Sequence, residues 1–505
     1  MKKSYLLVSL LFVIFSNTFS YAQTKPETFS PDISSIITEF DAYAANAQKQ
    51  WNVPGISVAI VIDDQIVYKK SFGVTNVYQK IPVNNQTVFQ IGSCAKSFTA
   101  LLTAMLVDKN IFDWEDKVQK YLPNFQLFDE TESSSITIED LLSQNSGLPP
   151  YSQHLMLLFG YNRDFIINSM RYIKPIGKLG ERYSYQNNLY LVLGRVIEKA
   201  TGRSWNKNIK EMIFTPLEMP NTSTYYETFR NTKNKSSSHF YKNSVLETIP
   251  ENVPYSRWPY EFAPAGGINS NIDDMSQWLL FLVNKNRLKI SEINFEKLFE
   301  KKTYTGKNNS VNNYYCLGWR CEENPTDDIY WHAGATDGQG AYISIRRKEK
   351  IGIVVLMNLP NGKMAEALSK KFYDLYLGNI PTDWSVVKLR ETNTSQKNKQ
   401  KKQTKKTTKL APFLNLEKYV GIYQNSLYGE AEVRIKDEQL QFSTGNREFW
   451  ITLKHYNANS FSAVAVAGWN FKNPMFIFNV LNDEVQGVLV EKMTDGVEPG
   501  FKKIK

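Results

Sequence analysis

A serine and a lysine three residues apart, Ser93 and Lys96 in IGSCAKSFTALLT (91–103), could carry out nucleophilic chemistry. Residues i and i+3 share a helix face, so the Lys96 amine reaches the Ser93 hydroxyl and, if burial keeps it neutral, can take its proton. Beyond this turn Phe98, Leu101, Leu102, Met105 and Leu106 repeat at helical spacing. That puts Ser93 at or near a helix N-terminus, where developing negative charge is favoured. Ser204 with Lys207 and Ser385 with Lys388 share the spacing. An N-cap serine followed by an exposed lysine also satisfies it, so spacing alone selects nothing. Context separates the three: only Ser93 follows a strand hairpin and opens a long amphipathic helix.

Two further clusters could complete such a site. Tyr185-Gln186-Asn187 lies directly before a helical run, and His332-Ala333-Gly334 lies on a predicted strand before a turn at Asp337-Gly338. A phenol and an amine brought close in a partly desolvated cleft shift each other's pKa and supply a base near neutrality. Each residue also has a plain structural reading: Tyr185 as a packing ring, Asn187 as the N-cap of the following helix, His332 as a hydrogen-bonded strand histidine. Tyr241 with Asn243 and Tyr423 with Asn425 repeat the Tyr-x-Asn pattern. His154, His239, His332 and His455 lack metal-ligand spacing. Cys94, Cys316 and Cys321 are an odd count without a disulfide framework, Cys316 and Cys321 being able to pair only if the chain folds back between them. Cys94 reads as a small packing residue. No metal and no cofactor are expected.

The elements that must position these groups follow from periodicity. Residues 55–72 read as a hairpin of two β-branched strands around Asp63-Asp64, and residues 189–200 as a helix stopped by Thr201-Gly202. A helix begins at Ile272, strands return over 328–331, 340–346 and 351–358, and a helix over 364–377 closes the unit. The order predicts an α+β fold: an antiparallel sheet flanked by helices, with a helical subdomain inserted between its first and last strands and a cleft between the two. The tail, with strands over 431–443, 449–455, 460–467 and 475–492, predicts an up-and-down barrel or sandwich.

At 505 residues and 42% hydrophobic, the chain can bury one large core and a smaller one. Lys2 and Lys3, a mostly apolar run over 6–15, and Ser20 and Ala22 have the form of a cleaved secretory signal, so export to the periplasm or beyond is expected, with no transmembrane segment. The net charge of +10 does not imply a nucleic-acid partner. Residues 388–409 carry eight Lys and one Arg against one Glu, and Lys2 and Lys3 supply the remainder. That stretch reads as a solvated, disordered linker. The expected division is signal 1–22, catalytic domain 23–387, Lys-rich linker 388–410 and β domain 411–505. The composition leaves the oligomeric state open.

With these motifs in this order, residues 30–380 resemble the penicillin-binding and serine β-lactamase superfamily, in particular its class C-like branch of esterases and D-amino-acid peptidases. Supporting segments are IEDLLSQNSGLP (138–149), YSYQNNLYLVLGRVIE (183–198), PAGGINSNIDDMSQWL (264–279), YCLGW (315–319) and HAGATDG (332–338). The resemblance implies an acyl-enzyme on Ser93, deprotonation assisted by Lys96, and proton relay to the leaving group by Tyr185, with either Lys96 or Tyr185 as the base. It further implies an oxyanion hole from the Ser93 and Ala335 N–H groups and a substrate-binding edge of Asn187, His332, Gly334 and Ala335. His332 stands where true β-lactamases carry lysine, and Ala333 and Ala335 where carboxypeptidase relatives carry hydroxyls. A carboxylate grip is therefore expected to be absent, favouring an ester, an amide or an N-terminal D-residue as the small-molecule or peptide substrate. A β-lactamase or D,D-carboxypeptidase and a non-catalytic sensor are the other two classes. The tail resembles the lipocalin-like domain appended to such hydrolases, with LEKYVGIYQN (416–425) as its entry strand.

Overall fold

The computed structural model describes residues 32–505 apart from 154, 155, 158, 243, 252, 309, 381, 404–409, 465–473, 492 and 494–499. The expected signal segment 1–22 and His154 lie outside the described residues.

An eight-stranded antiparallel sheet forms the body. Its strands are β1 (Gly55–Ile62), β2 (Gln65–Gly73), β3 (Thr303–Asn308), β4 (Val311–Tyr315), β5 (Arg320–Glu322), β6 (Ile329–Ala335), β7 (Gly340–Arg346) and β8 (Ile351–Met357), in the spatial order β2-β1-β8-β7-β6-β5-β4-β3. The first hairpin thus joins the last strand, with Ile56 opposite Met357, and the helical region lies between. Strands β1, β7 and β8 are buried along their whole length, so they carry apolar residues on both faces. Their residues still alternate. Ile56, Val58 and Ile60 face a core closed by α1 (Ile33–Gln50) and a helix over Gly362–Leu377, whereas Ala59 and Val61 face the larger core containing Phe98 and Trp278.

The strand and helix expectations over 55–72, 189–200 and 272–282 correspond to β1 with β2, to Asn188–Thr201 and to Ile272–Asn284. Strands β3, β4 and β5 were not anticipated; their mixed polar sequences alternate only over short, half-buried stretches. Strand β6 extends beyond the predicted 328–331 to Ala335 and carries the His332-Ala333-Gly334 motif, as expected.

The tail is a closed barrel of eight strands in chain order, from Gly421–Asn425 to Phe501–Lys503, with the first paired to the last through Tyr423 and Lys503. Two predicted strands are each a hairpin: 431–443 turns at Asp437-Glu438 and 475–492 at Asn482-Asp483. Both residues of each turn have positive φ, the backbone of a tight I′ hairpin, here built without glycine and so unmarked in the sequence. The Lys-rich stretch differs from the expected disordered linker: a helix begins at Trp384 and continues to Gln403, consistent with the helix propensity of Lys and Gln. No described helix is long and apolar enough to cross a membrane.

Candidate active site

Ser93 occupies a single 3-10 turn, Gly92–Cys94, that runs directly into the helix Ala95–Asp108, here α2. The turn is wedged against β6. Gly92 has φ +49°, and a Cβ there would lie 2.6 Å from the Ala335 nitrogen; a Cβ on Gly334 would lie 1.9 Å from the Ile91 carbonyl oxygen. Both glycines are required by close backbone approach, which brings the end of β6 beside the nucleophile turn.

Lys96 is completely buried. Its Nζ lies 2.6 Å from Asn187 Oδ1, 2.8 Å from the Ala265 carbonyl oxygen and 3.2 Å from Ser93 Oγ. Burial drives its pKa well below the usual lysine value, and the Arg320 guanidinium pushes the same way. Cys94 offers no compensating charge, because burial raises its thiol pKa far above neutrality and its Sγ–H donates to the His332 carbonyl. A neutral amine has two N–H donors and one lone pair. Asn187 Oδ1 and the Ala265 carbonyl can accept only, so they take the two N–H groups and turn the lone pair toward the Ser93 hydroxyl.

Tyr185 is buried and hydrogen-bonds Ser93, and its ring centroid is 4.9 Å from Lys96 Nζ. Burial and the neighbouring rings of Tyr315 and Tyr151 push its phenol well above its usual value, so it is held as a proton donor at neutrality. Asn187 stands at the N-cap position of the Asn188–Thr201 helix, yet its side chain makes no capping bond; its oxygen goes to Lys96. His332 is buried, with Nδ1 2.8 Å from the Ala333 carbonyl oxygen and Nε2 3.1 Å from the Tyr315 hydroxyl. The carbonyl must accept, so the proton sits on Nδ1 and Nε2 accepts from Tyr315. Burial, with the Arg320 guanidinium pushing the same way, holds this histidine well below its usual value and neutral.

Ser93, Tyr185, Asn187, His332, Gly334 and Ala335 all line one cleft of about 550 Å³, whose wall Trp258 and Trp331 complete. Lys96 lies beneath it. The other Ser-x-x-Lys matches are structural: Ser204 caps a short helix by accepting from Lys207 N, and Ser385 bonds Trp51 and Gln50 while Lys388 pairs with Glu366. Tyr423 and Asn425 are spent on barrel backbone carbonyls.

Two participants escaped the sequence reading. Tyr315 supports His332, and Arg320 enters the cleft from β5. Tyr315 opens the quoted YCLGW segment and Arg320 follows it directly, and the turn at Gly318, with φ +80°, pairs them across the strands. Cys316 and Cys321 lie within this hairpin as free buried thiols.

A family model described as Beta-lactamase matches residues 40–375, and one described as a domain of unknown function (DUF3471) matches 405–502. The chain is 27% identical over 443 residues to the Unguisins hydrolase ungD' of Aspergillus campestris, covering 80% of this chain and 81% of that protein. It is 26% identical over 330 residues to Protein flp of Staphylococcus aureus, covering 64% of this chain and 63% of that protein, so less than two thirds of the latter is spanned. Among solved structures, the octameric penicillin-binding protein homologue from Pyrococcus abyssi superposes with a TM-score of 0.63 at 23% identity, over 90% of this chain and 98% of that one. SurE superposes with a TM-score of 0.57 at 16% identity, over 93% and 100%. At these identities the two structures are likenesses of fold.

Proposed function

The chain belongs to the β-lactamase family of serine hydrolases, and from that membership and the cleft geometry we propose that it cleaves an ester or amide through a Ser93 acyl-enzyme. The observation that carries this reading is the environment of Lys96: buried, without an anionic partner, its two N–H groups absorbed by Asn187 and Ala265 and its remaining direction toward Ser93.

Lys96, rather than Tyr185, is the acylation base on this reading, since the amine is held deprotonable and the phenol is held protonated. Ser93 Oγ attacks the acyl carbon as Lys96 takes its proton. The oxyanion is held by the Ser93 and Ala335 N–H groups. The bond to the leaving oxygen or nitrogen breaks with proton transfer from the Tyr185 hydroxyl, which recovers a proton from the Lys96 ammonium. Water, deprotonated by the same pair, then releases the acid and regenerates Ser93. A neutral His332 orients the edge of β6 and brings no fixed positive charge. The signal-like N-terminal segment supports export of the enzyme.

The test is turnover of a short-chain nitrophenyl ester, beside a chromogenic cephalosporin, with Ser93→Ala as the blank, together with an intact-mass search for an acyl adduct. Ser93-dependent ester turnover with an adduct on the wild-type chain is expected. Full turnover by Ser93→Ala would overturn the proposal.

A further inference from the structure

Resting on the Ser93 reading above, with Tyr185 as proton donor, we propose that the barrel is a positioning domain for the Tyr185-Gln186-Asn187 motif and acts on it through Phe159 and Tyr161. The motif belongs to neither helix nor strand, apart from Asn187 at a helix end, and an equally irregular segment, 144–153, cradles it. Ser184 donates its N–H to the Gln144 carbonyl and its hydroxyl to the Leu148 carbonyl. The Tyr185 carbonyl accepts from Tyr151 N at 3.0 Å. The Gln144 amide takes both the N–H and the carbonyl of Gln186, whose own side chain donates to the Pro149 carbonyl. Asn188 Nδ2 donates to the Ser152 carbonyl and to Gln153 Oε1, at 3.1 and 2.9 Å. The groups turned the other way are those of the proposed chemistry: the Tyr185 hydroxyl toward Ser93 and the Asn187 oxygen toward Lys96.

The cradle is held in a costly conformation. Gln144, Tyr151 and Gln153 have φ of +61°, +59° and +64°, and non-glycine residues stay in the left-handed region only where their surroundings over-determine it. One end is fixed by the helix Ile138–Ser143, which Gln144 closes. The other is fixed by the barrel. The Gln153 carbonyl accepts from Met156 N at 3.0 Å, and the Met156 carbonyl accepts from Phe159 N and Tyr161 N, each at 3.2 Å, so hydrogen-bonded turns join cradle to seam. Phe159 is fully buried, its ring 5.8 and 5.9 Å from those of Phe442 and Phe449. Its carbonyl accepts from Asn446 N at 3.1 Å, and Gly445, with φ +65°, comes so near that a Cβ there would lie 2.3 Å from the same oxygen. The Tyr161 hydroxyl donates to the Tyr428 carbonyl. Neither Phe159 nor Tyr161 is among the residues lining the cleft, so both act on the reaction through the cradle.

The test is the ratio of kcat/KM for 4-nitrophenyl acetate to that for phenyl acetate, measured on the full chain. A nitrophenolate departs readily without a proton and a phenolate does so less readily, so a displaced Tyr185 raises the ratio, whereas a smaller folded fraction cancels from it. Tyr185→Phe is expected to raise the ratio by about tenfold or more, and Phe159→Ala by about three- to tenfold, part of what a positioned general acid supplies. Phe159→Leu, which still fills the seam, is expected to recover most of the wild-type ratio. Tyr161→Phe, which removes one hydroxyl from the seam, is expected to shift it the same way by about twofold, and carries the test should Phe159→Ala fail to fold. In a Tyr185→Phe background Phe159→Ala is expected to add nothing, since both changes remove the same proton donation. A ratio left unchanged by the seam variants, or a shift that persists in full without the Tyr185 hydroxyl, overturns the proposal. A wild-type ratio in Tyr185→Phe would instead strike the proton-donor reading, and undiminished turnover by Ser93→Ala the nucleophile reading, so the failures are distinguishable.

Discussion

At the scale of single residues, the site stores its function in groups that folding would do better without. A buried lysine with a depressed pKa binds fewer protons folded than unfolded. Stability therefore rises with pH between the depressed folded value and the ordinary lysine value of about 10.4. Lys96→Met is expected to be inactive yet at least as stable as wild type at pH 7 by thermal unfolding, with its advantage shrinking toward pH 10. A fixed advantage across that range would contradict the assignment. Asp337 behaves with the opposite sign. Burial pushes its carboxyl up to about 7, where it accepts a hydrogen bond from the indole N–H of Trp258 on the cleft wall. The folded state then holds a proton that the unfolded state has released, so stability falls as pH rises from the ordinary carboxyl value toward 7. Asp337→Asn is expected to melt above wild type at pH 8 and to lose that margin at pH 5.

At the scale of elements, the site is a contact between the turn that opens α2 and the end of β6. Gly334→Ala places a Cβ 1.9 Å from the Ile91 carbonyl oxygen and 2.9 Å from Ser93 N, where backbone and not a flexible side chain must yield. It is expected to cost at least about 2 kcal/mol by denaturant unfolding and to lower ester turnover with it. Gly362 is the contrast, since its nearest neighbour would be the Ala333 Cβ at 3.9 Å and its backbone is helical. Gly362→Ala is expected to be neutral or to gain about 0.5–1 kcal/mol. The two hairpins that the tail prediction ran together teach the same lesson: Asp437-Glu438 and Asn482-Asp483 adopt positive φ because the strands on either side pair, a preference their types express only weakly.

At the scale of the whole molecule, the barrel is clamped to the helical region by a segment that leaves the cleft. Tyr151 packs its ring 5.3 Å from that of Tyr185, and eight residues on Phe159 is fully buried against the barrel rings of Phe442 and Phe449, at 5.8 and 5.9 Å. Its carbonyl accepts from Asn446 N, and the Tyr161 hydroxyl bonds barrel residues Tyr428 and Thr444. The barrel interior is itself packed with rings, such as Phe442 on Phe476 and Phe461 on Phe478. Phe159→Ala is expected to cost about 3–5 kcal/mol, seen as an earlier, separate melting of the barrel and faster hydrogen exchange around Tyr151. A single unshifted transition would show that the clamp is dispensable.

By itself the sequence determined the sheet with its inserted helices, the all-β tail, and the three motifs whose order pointed to Ser93, Lys96, Tyr185, Asn187 and His332, because apolar periodicity and short-range spacing are local properties of the chain. The tertiary structure alone decided which Ser-x-x-Lys pair meets an asparagine and a carbonyl, and which lysine burial pushes toward its neutral form. It also placed Arg320 among four rings and Phe159 inside the seam with the barrel. Those outcomes depend on desolvation and on contacts between residues dozens to hundreds apart, such as Lys96 with Ala265 and Phe159 with Phe442, and no local pattern encodes what will be buried against what.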